Sequence, residues 1–181
     1  MATRLHTFTA DELLAMPDDG VRRELVAGAL REMPPVGKQH ARISGRLYRS
    51  LHAWVSPRGL GEAFVEFGYH LERDPDTVRA PDVSFVRAGH TDDGPEEGYH
   101  AGTPDLAVEV LSPSDREFDV IEKVYDYLDA GTRMVVLVDP EPRSVTVYRS
   151  RRDKQVLTED DVLDGGDVVP GWKLPVREIF A

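Results

Sequence analysis

The central strand of the sheet is predicted from the stretch Pro104-Asp105-Leu106-Ala107-Val108-Glu109-Val110-Leu111-Ser112-Pro113. Residues 106–111 form a nearly continuous apolar run, which is typical of a strand buried on both faces. Ser112 and Pro113 end it, because proline lacks the N–H that a sheet ladder needs. We therefore expect the rest of the fold to be built around this strand.

The segment after this strand predicts a parallel crossover. Ser114 or Asp115 is the expected N-cap of a helix that runs to Asp129 and stops at Gly131. Residues 134–138 are apolar and predict a second buried strand. A strand, a helix and a strand in this order predict a right-handed connection between parallel strands.

The remaining segments alternate between helical and extended patterns. They predict a helix over residues 8–16 with Thr9 as N-cap, a hairpin over 23–33, a helix over 38–55, strands over 62–71 and 79–86 that pair antiparallel, an exposed loop over 89–102 and a strand over 145–148. We expect an α/β (α+β) fold with the core order helix-strand-strand-strand-helix-strand, preceded by a helix and a hairpin. At this length a single domain over residues 1–181 is expected.

Composition excludes several classes of function. The chain has no cysteine, which excludes disulfides, a thiolate nucleophile and cysteine-rich zinc sites. It also lacks a Walker loop, an HExxH helix and a GxSxG elbow. The N-terminal residues lead into no apolar signal segment, and residues 134–138 are too few to cross a bilayer. A cytoplasmic location without membrane contact is the expectation.

The charge balance restricts how the chain could bind nucleic acid. With 22 Lys plus Arg against 33 Asp plus Glu, the net charge is −11, which disfavours broad binding to phosphates. The predicted helix over 38–55 carries apolar residues at helical spacing and a separate basic stripe of Lys38, Arg42, Arg46 and Arg49. This stripe is the best predicted route to nucleic acid.

Glu109 is the most informative residue, because it lies inside the apolar strand. An unpaired carboxylate there would cost several kcal/mol. A bound cation, a buried lysine or arginine, or protonation with a raised pKa would each remove that cost. The alternative is a glutamate on the solvated face of a strand that is not central.

Asp82 is the expected partner of Glu109. It follows Pro81 at the start of the preceding strand, where aspartate also serves as a turn or cap residue. Asp105, in a second Pro-Asp pair, lies four residues from Glu109 on one strand, roughly 13 Å away and too far to share an ion. Asp82 lies on a neighbouring strand and can approach more closely. Two carboxylates with waters suit Mg²⁺ or Mn²⁺.

A set of short motifs follows in order along nearly the whole chain. They are Glu24-Leu25-Val26-Ala27-Gly28, Gln39-His40, Arg79-Ala80-Pro81-Asp82-Val83, the stretch from Pro104 to Pro113, Lys123 with Tyr127, Gly131, Val138-Asp139-Pro140 and the tail from Pro170-Gly171 to Phe180. This set resembles the Uma-two family of restriction-endonuclease-like proteins, in the PD-(D/E)xK nuclease superfamily. The resemblance implies a nuclease fold in which Asp82 and Glu109 bind a divalent metal.

The resemblance also assigns the other candidate residues. The superfamily places a lysine two residues after the metal-binding glutamate, where this chain has Leu111. In the family the lysine has migrated, and Lys123 would orient the attacking water and stabilise the transition state; the alternative is a solvated helix lysine. Glu24 would contact metal or water, or form a hairpin salt bridge. His40 would touch phosphate, or cap its helix.

These residues predict an Mg²⁺- or Mn²⁺-dependent endonuclease that acts on nucleic acid, with DNA as the expected substrate. A second copy of the chain, in a homodimer, is a further expected partner. One alternative is a catalytically silent protein that keeps the nuclease fold and binds nucleic acid or protein. Another is a phosphodiesterase that acts on a small nucleotide.

Overall fold

A computed structural model describes residues 6–90, 98–113 and 115–181 of the chain. Residues 91–97 of the expected loop and the expected cap Ser114 lie outside the described residues. The helices are α1 (Ala10–Leu14), α2 (Lys38–Val55), α3 (Glu117–Ala130) and α4 (Val176–Phe180). The strands are β1 (Arg22–Val26), β2 (Ala29–Met33), β3 (Gly61–Val65), β4 (Tyr69–Glu72), β5 (Thr77–Arg79), β6 (Val83–Arg87), β7 (His100–Ala101), β8 (Leu106–Val110), β9 (Met134–Asp139), β10 (Ser144–Tyr148), β11 (Lys154–Leu157), β12 (Val162–Asp164) and β13 (Lys173–Pro175).

The larger sheet has the strand order β11-β10-β9-β8-β6-β3, so β8 lies in its interior as predicted. Strands β8 and β9 pair in parallel through the α3 crossover, whereas β6 pairs antiparallel with both β8 and β3. A smaller sheet, β2-β1-β5-β4-β7, contains the N-terminal hairpin, and β12 pairs with β13. The predicted core order is confirmed as α2, β3, β6, β8, α3 and β9.

Both faces of β8 are buried, and alternate residues along the strand face α2 on one side of the sheet and α3 on the other. Val108 and Val110 pack in the core that includes the apolar face of α2. Ala107 packs instead in the cluster under Val124 and Tyr127 of α3. Because successive side chains of a strand alternate between faces, Glu109 lies on the α3 side with Ala107.

Local signals explain where the helices begin and end. Thr9 and Glu12 form a capping box at the start of α1, as the predicted N-cap requires. Helix α3 ends at Gly131, whose φ of 108° is the left-handed conformation that glycine adopts at helix ends. Its N-cap is Arg116, which makes no side-chain capping bond. Asp115 instead accepts a hydrogen bond from the Ser112 N–H.

The prediction of one strand over residues 62–71 is wrong. The extended conformation is interrupted after β3 at Glu66, which has a φ of 52°. The next strand, β4, therefore belongs to the smaller sheet and not to the larger one. Val65, at the end of β3, is 50% exposed. The expected strand over 79–86 is likewise divided, between β5 and β6. No helix of the described residues is long and apolar enough to span a membrane.

Candidate active site

Asp82 and Glu109 are brought together by the register of two neighbouring strands. Val83 of β6 pairs with Val108 of β8, so the next antiparallel pair along the ladder is Asp82 with Glu109. Side chains that oppose each other in this way lie on one face, with Cβ atoms about 4.5–5.5 Å apart. Both residues are buried, at 5% and 8% exposure. The two carboxylates therefore share one site at the α3 side of the sheet.

Only one oxygen of the Asp82 carboxylate is bound by other described residues. Its Oδ2 accepts the Val110 N–H at 2.7 Å and lies 3.0 Å from His40 Nε2. Its Oδ1 makes no hydrogen bond to any other described residue. Burial alone would lower the pKa of His40, but the hydrogen bond to Asp82 and the charge of that carboxylate outweigh it, so the pKa is raised. One oxygen of Asp82 remains available to a ligand.

Glu109 is contacted by two side chains of α3. The Tyr127 hydroxyl donates to its Oε1 at 2.9 Å, and Lys123 Nζ lies 3.4 Å from its Oε2. Burial raises the pKa of Glu109 to about 7, the Lys123 charge opposes this rise, and the charges of Asp82 and Glu24 add to it. Ionised Glu109 is thus disfavoured first by burial and then by the neighbouring carboxylates.

Lys123 bridges two carboxylates from distant parts of the sequence. Its Nζ donates to Glu24 Oε1 at 3.2 Å as well as to Glu109 Oε2. Burial would lower the pKa of Lys123, but the charges of Glu109 and Glu24 outweigh burial and raise it. Lys123 is therefore a buried ammonium group and not a solvated helix lysine.

Glu24 forms salt bridges, but with Arg79 of β5 and Lys123 of α3 and not within the hairpin as predicted. Its Oε2 accepts Arg79 Nη1 at 2.9 Å, and its Oε1 accepts the Ala80 N–H at 3.1 Å in addition to Lys123. Burial would raise the pKa of Glu24, but the charges of Lys123 and Arg79 outweigh it and lower the pKa. Other residues of the protein thus occupy both carboxylate oxygens of Glu24, and one of these residues is Lys123.

Arg79 is a site residue that the sequence did not single out. It is 3% exposed and pairs with Glu24, with Asp126 at 2.6 Å and with Glu122 at 3.4 Å. These contacts join β1, β5 and α3 behind Lys123. A sequence signal for a buried cation was available, because Glu122 and Asp126 lie four residues apart on one helix face. That spacing does not indicate which cation pairs with them.

A cavity of about 280 Å³ opens above these groups. Its walls come from the β1–β2 hairpin, the start of α2, the carboxyl end of β8 and the first turns of α3. The lining residues are Arg22, Arg31, Glu32, Met33, Pro34, Val36, His40, Arg79, Asp82, Glu109, Val110, Leu111, Ser112, Asp115, Arg116, Asp119, Val120, Glu122 and Lys123. The predicted residues Asp82, Glu109, Lys123 and His40 therefore meet in one place.

The donor set fits a small, hard cation. The described residues contain no group of three or more His, Cys, Asp or Glu side chains arranged around one metal position. Mg²⁺ is commonly bound through one or two carboxylates, with waters and substrate phosphates as its other ligands. The free Oδ1 of Asp82 and the raised pKa of Glu109 are what such a two-carboxylate site would have before a cation binds.

The basic stripe of α2 lies away from the cavity. His40 lines the cavity, and at 100° per residue Lys38 and Arg42 project from nearly the opposite side of the helix. Both are exposed. Arg46 is half-buried and donates to the Ile179 carbonyl at 3.2 Å. His40 does not cap its helix, because Gly37 is the N-cap.

Asp105, the competitor of Asp82, lies elsewhere. It is buried at the other end of β8, where its Oδ2 accepts the Arg87 N–H at 2.9 Å. It does not line the cavity. This position agrees with the prediction that Asp105 is too far from Glu109 along the strand to share an ion with it.

Comparisons with known proteins agree with the fold. The model of the Uma2 (Uma-two) family, described as "Putative restriction endonuclease", matches residues 10–177. A crystal structure titled as a putative nuclease belonging to DUF820 from Anabaena variabilis ATCC 29413 superposes with a TM-score of 0.83 at 24% identity, covering 96% of this chain and 97% of that one. A DrdV–DNA complex matches with a TM-score of only 0.39 at 13% identity, over 74% of this chain and 11% of that one. No curated protein matches the chain.

Proposed function

Because this chain belongs to the Uma2 family of putative restriction endonucleases, we propose that it is an Mg²⁺- or Mn²⁺-dependent nuclease that hydrolyses phosphodiester bonds, with DNA as its substrate. The observation that carries the proposal is the convergence of Asp82, Glu109 and Lys123 in one cavity. These three side chains come from β6, β8 and α3, so only the fold brings them together. The neighbour titled as a putative nuclease has the same fold.

Asp82 and Glu109 are the residues that would hold the cation. Bound there, the ion would supply Lewis-acid polarisation of a phosphoryl oxygen and lower the pKa of a bound water. The His40 and Val110 contacts fix the orientation of the Asp82 carboxylate. The Tyr127 hydroxyl does the same for Glu109. The carboxylates are thus oriented before substrate arrives, which is what preorganised catalysis requires.

Lys123 would act on the substrate as a fixed positive charge. Its ammonium group lies beside Glu109 at the floor of the cavity, where it can stabilise the charge that develops on the phosphate and orient the attacking water. Glu24 holds it there from behind, and Arg79 in turn holds Glu24. The exposed stripe residues Lys38 and Arg42 remain a prediction for contacts with nucleic acid outside the cavity.

The test is cleavage of labelled single-stranded and duplex DNA by purified protein with Mg²⁺ or Mn²⁺. We expect cleavage that chelator abolishes and that Asp82→Asn and Glu109→Gln reduce by more than about 100-fold, since even supporting residues of metal sites are worth 10–100-fold. Asp105→Asn is the matched control, because it changes the other buried Pro-Asp carboxylate outside the cavity. That variant keeps wild-type activity.

Three outcomes would count against the proposal. If no nucleic acid is cleaved with either metal but DNA is bound, the chain is a binding protein with a nuclease fold. If only small nucleotides with phosphodiester bonds are hydrolysed, it is a phosphodiesterase of another substrate class. Cleavage that survives Asp82→Asn would place the active site elsewhere.

A further inference from the structure

Two arginines of the cavity have no carboxylate partner. Arg31 of β2 and Arg116 at the N-cap of α3 line the cavity, and neither guanidinium group makes an ion pair or a hydrogen bond to another described residue. The cavity's other three cations are all paired with carboxylates: Arg22, Arg79 and Lys123. In a chain with a net charge of −11, two unpaired guanidinium groups beside one cavity are available to bind anions.

Both arginines project toward the cavity from opposite walls. Arg31 pairs with Glu24 across the hairpin, so its side chain lies on the same face as Glu24. Arg116 lies at the N-cap of α3 and Lys123 lies seven residues later on the same helix, and both line the cavity. Lys123 is at the floor, and the exposed Arg116 is at the rim.

The reactive groups lie deep between these walls. The side chains of Asp82, Glu109 and Lys123 are 6%, 11% and 13% exposed. The cavity volume of about 280 Å³ is at the lower end of the range for small-molecule sites, roughly 300–1,000 Å³. It has room for one nucleotide unit and not for a base-paired cross-section.

We expect that a B-form duplex does not bring its backbone to this floor. A phosphate ridge of duplex DNA has the major groove, about 12 Å wide, on one side and the minor groove, about 6 Å wide, on the other. One wall of the cavity would have to enter the minor groove. A helix with its side chains is about 10–12 Å across, and the two-stranded hairpin is no narrower. A single strand has no second strand to collide with either wall.

We propose that the cavity takes single-stranded nucleic acid, and that Arg31 and Arg116 bind the phosphates that flank the one above Asp82 and Glu109. This inference rests on the proposed nuclease function and names its substrate class. The remaining lining carboxylates repel phosphate, which leaves the two unpaired arginines as its points of attachment; these carboxylates are Glu32, Asp115, Asp119 and Glu122.

The experiment measures fluorescence anisotropy of a labelled single strand and of its duplex, in chelator so that no cleavage occurs. We expect wild-type protein to bind the single strand at least 10-fold more tightly. Arg31→Ala combined with Arg116→Ala should remove that preference, leaving the two affinities within about 2-fold. It should also reduce the slope of log affinity against log salt by about 1.4 for the single strand, at about 0.7 per phosphate contact.

The matched control is Arg42→Ala combined with Arg49→Ala, which removes two exposed arginines of the basic stripe. Loss of these charges should weaken both DNA forms equally and leave their ratio unchanged. Replacing Arg31 and Arg116 with lysine should retain most of the preference, which separates loss of charge from loss of fold. Equal wild-type affinities, or a ratio that the Arg31 and Arg116 changes leave intact, would overturn the inference.

Cleavage with Mn²⁺ separates this inference from the function on which it rests. Selective binding of single strands without cleavage of any substrate would refute the nuclease and leave the strand-binding cavity standing. Cleavage of duplex as fast as single strand would refute the inference and leave the nuclease standing. Hydrolysis of a dinucleotide without oligonucleotide binding would refute both.

Discussion

Replacing Glu109 with glutamine should stabilise the metal-free protein, and increasingly so as the pH rises. The pKa of this carboxyl is raised from 4.5 to about 7 in the folded chain. A raised pKa means that the folded state holds the proton more tightly than the unfolded state does. The stability this provides is present below pH 4.5 and is lost as the pH rises to about 7.

The size of the effect follows from the shift, 7 − 4.5 = 2.5 units. At 1.36 kcal/mol per unit, keeping Glu109 ionised costs at most about 3 kcal/mol at pH 8. Glutamine carries no charge at any pH, so Glu109→Gln avoids that cost. Any other effect of the amide group on the free energy of unfolding is the same at every pH. Between pH 5 and pH 8 the variant should therefore gain about 2 kcal/mol relative to wild type.

Urea unfolding in chelator at several pH values between 5 and 8 measures this difference. Glu62→Gln, a change of an exposed glutamate on β3, is the control and should show a pH-independent difference. Adding Mn²⁺ should then reverse the order at pH 8, because a ligand stabilises only the state that binds it. A Glu109→Gln difference that stays flat or falls with pH would refute the electrostatic description of the site.

Three further changes test the contacts around the site and the fold beneath it. Glu24→Gln should cost about 3–5 kcal/mol in urea unfolding, because it leaves buried cations without their carboxylate; a loss under 1 kcal/mol contradicts this. Tyr127→Phe should lower the free energy of unfolding by about 1 kcal/mol. It should also weaken Mn²⁺ binding at pH 7, because the lost hydrogen bond favours ionised Glu109. An unchanged Mn²⁺ affinity in calorimetry would count against that contact. Gly61→Ala should destabilise by more than about 2 kcal/mol, because a Cβ would lie 2.1 Å from the Val86 carbonyl at a φ of 143°. Gly45→Ala, with nothing near its Cβ, should not lower the melting temperature, and equal losses in the two glycine variants would contradict the steric argument.

The parts of the site that the sequence predicted are those that strand geometry fixes. Period-two alternation and an apolar run identified β8 and placed Glu109 inside it. Strand length then separated Asp105 from Asp82 as a partner for Glu109. Lys123 could be placed by helical periodicity at the edge of an apolar face, and its Nζ indeed reaches Glu109. The geometry confirms that these side chains lie together, while their catalytic roles stay a prediction.

Contacts between distant segments could not be predicted, because they depend on tertiary structure. Arg79 lies in a short strand of the smaller sheet and meets carboxylates 55, 43 and 47 residues away in sequence. The break between β3 and β4 escaped notice because the alternation of residues 62–71 is uninterrupted. Residues 66–68 separate the two strands, and they begin with a positive φ at Glu66 that nothing in a glutamate indicates.

The C-terminal region shows the same limit. The pairing of β12 with β13 was not predicted. Trp172, one of the largest fully buried side chains, donates its indole N–H to Ser50 of α2 at 3.1 Å. A long-range contact of this kind leaves no periodic pattern in the sequence.

Calorimetric titration with Mn²⁺ tests the central claim most directly, namely that Asp82 and Glu109 form a divalent-metal site. We expect one ion per wild-type chain and a more than 10-fold loss of affinity in Asp82→Asn. Asp105→Asn, which alters a buried carboxylate outside the cavity, should bind Mn²⁺ like wild type. Wild-type affinity in Asp82→Asn, or an equal loss in Asp105→Asn, would contradict the claim.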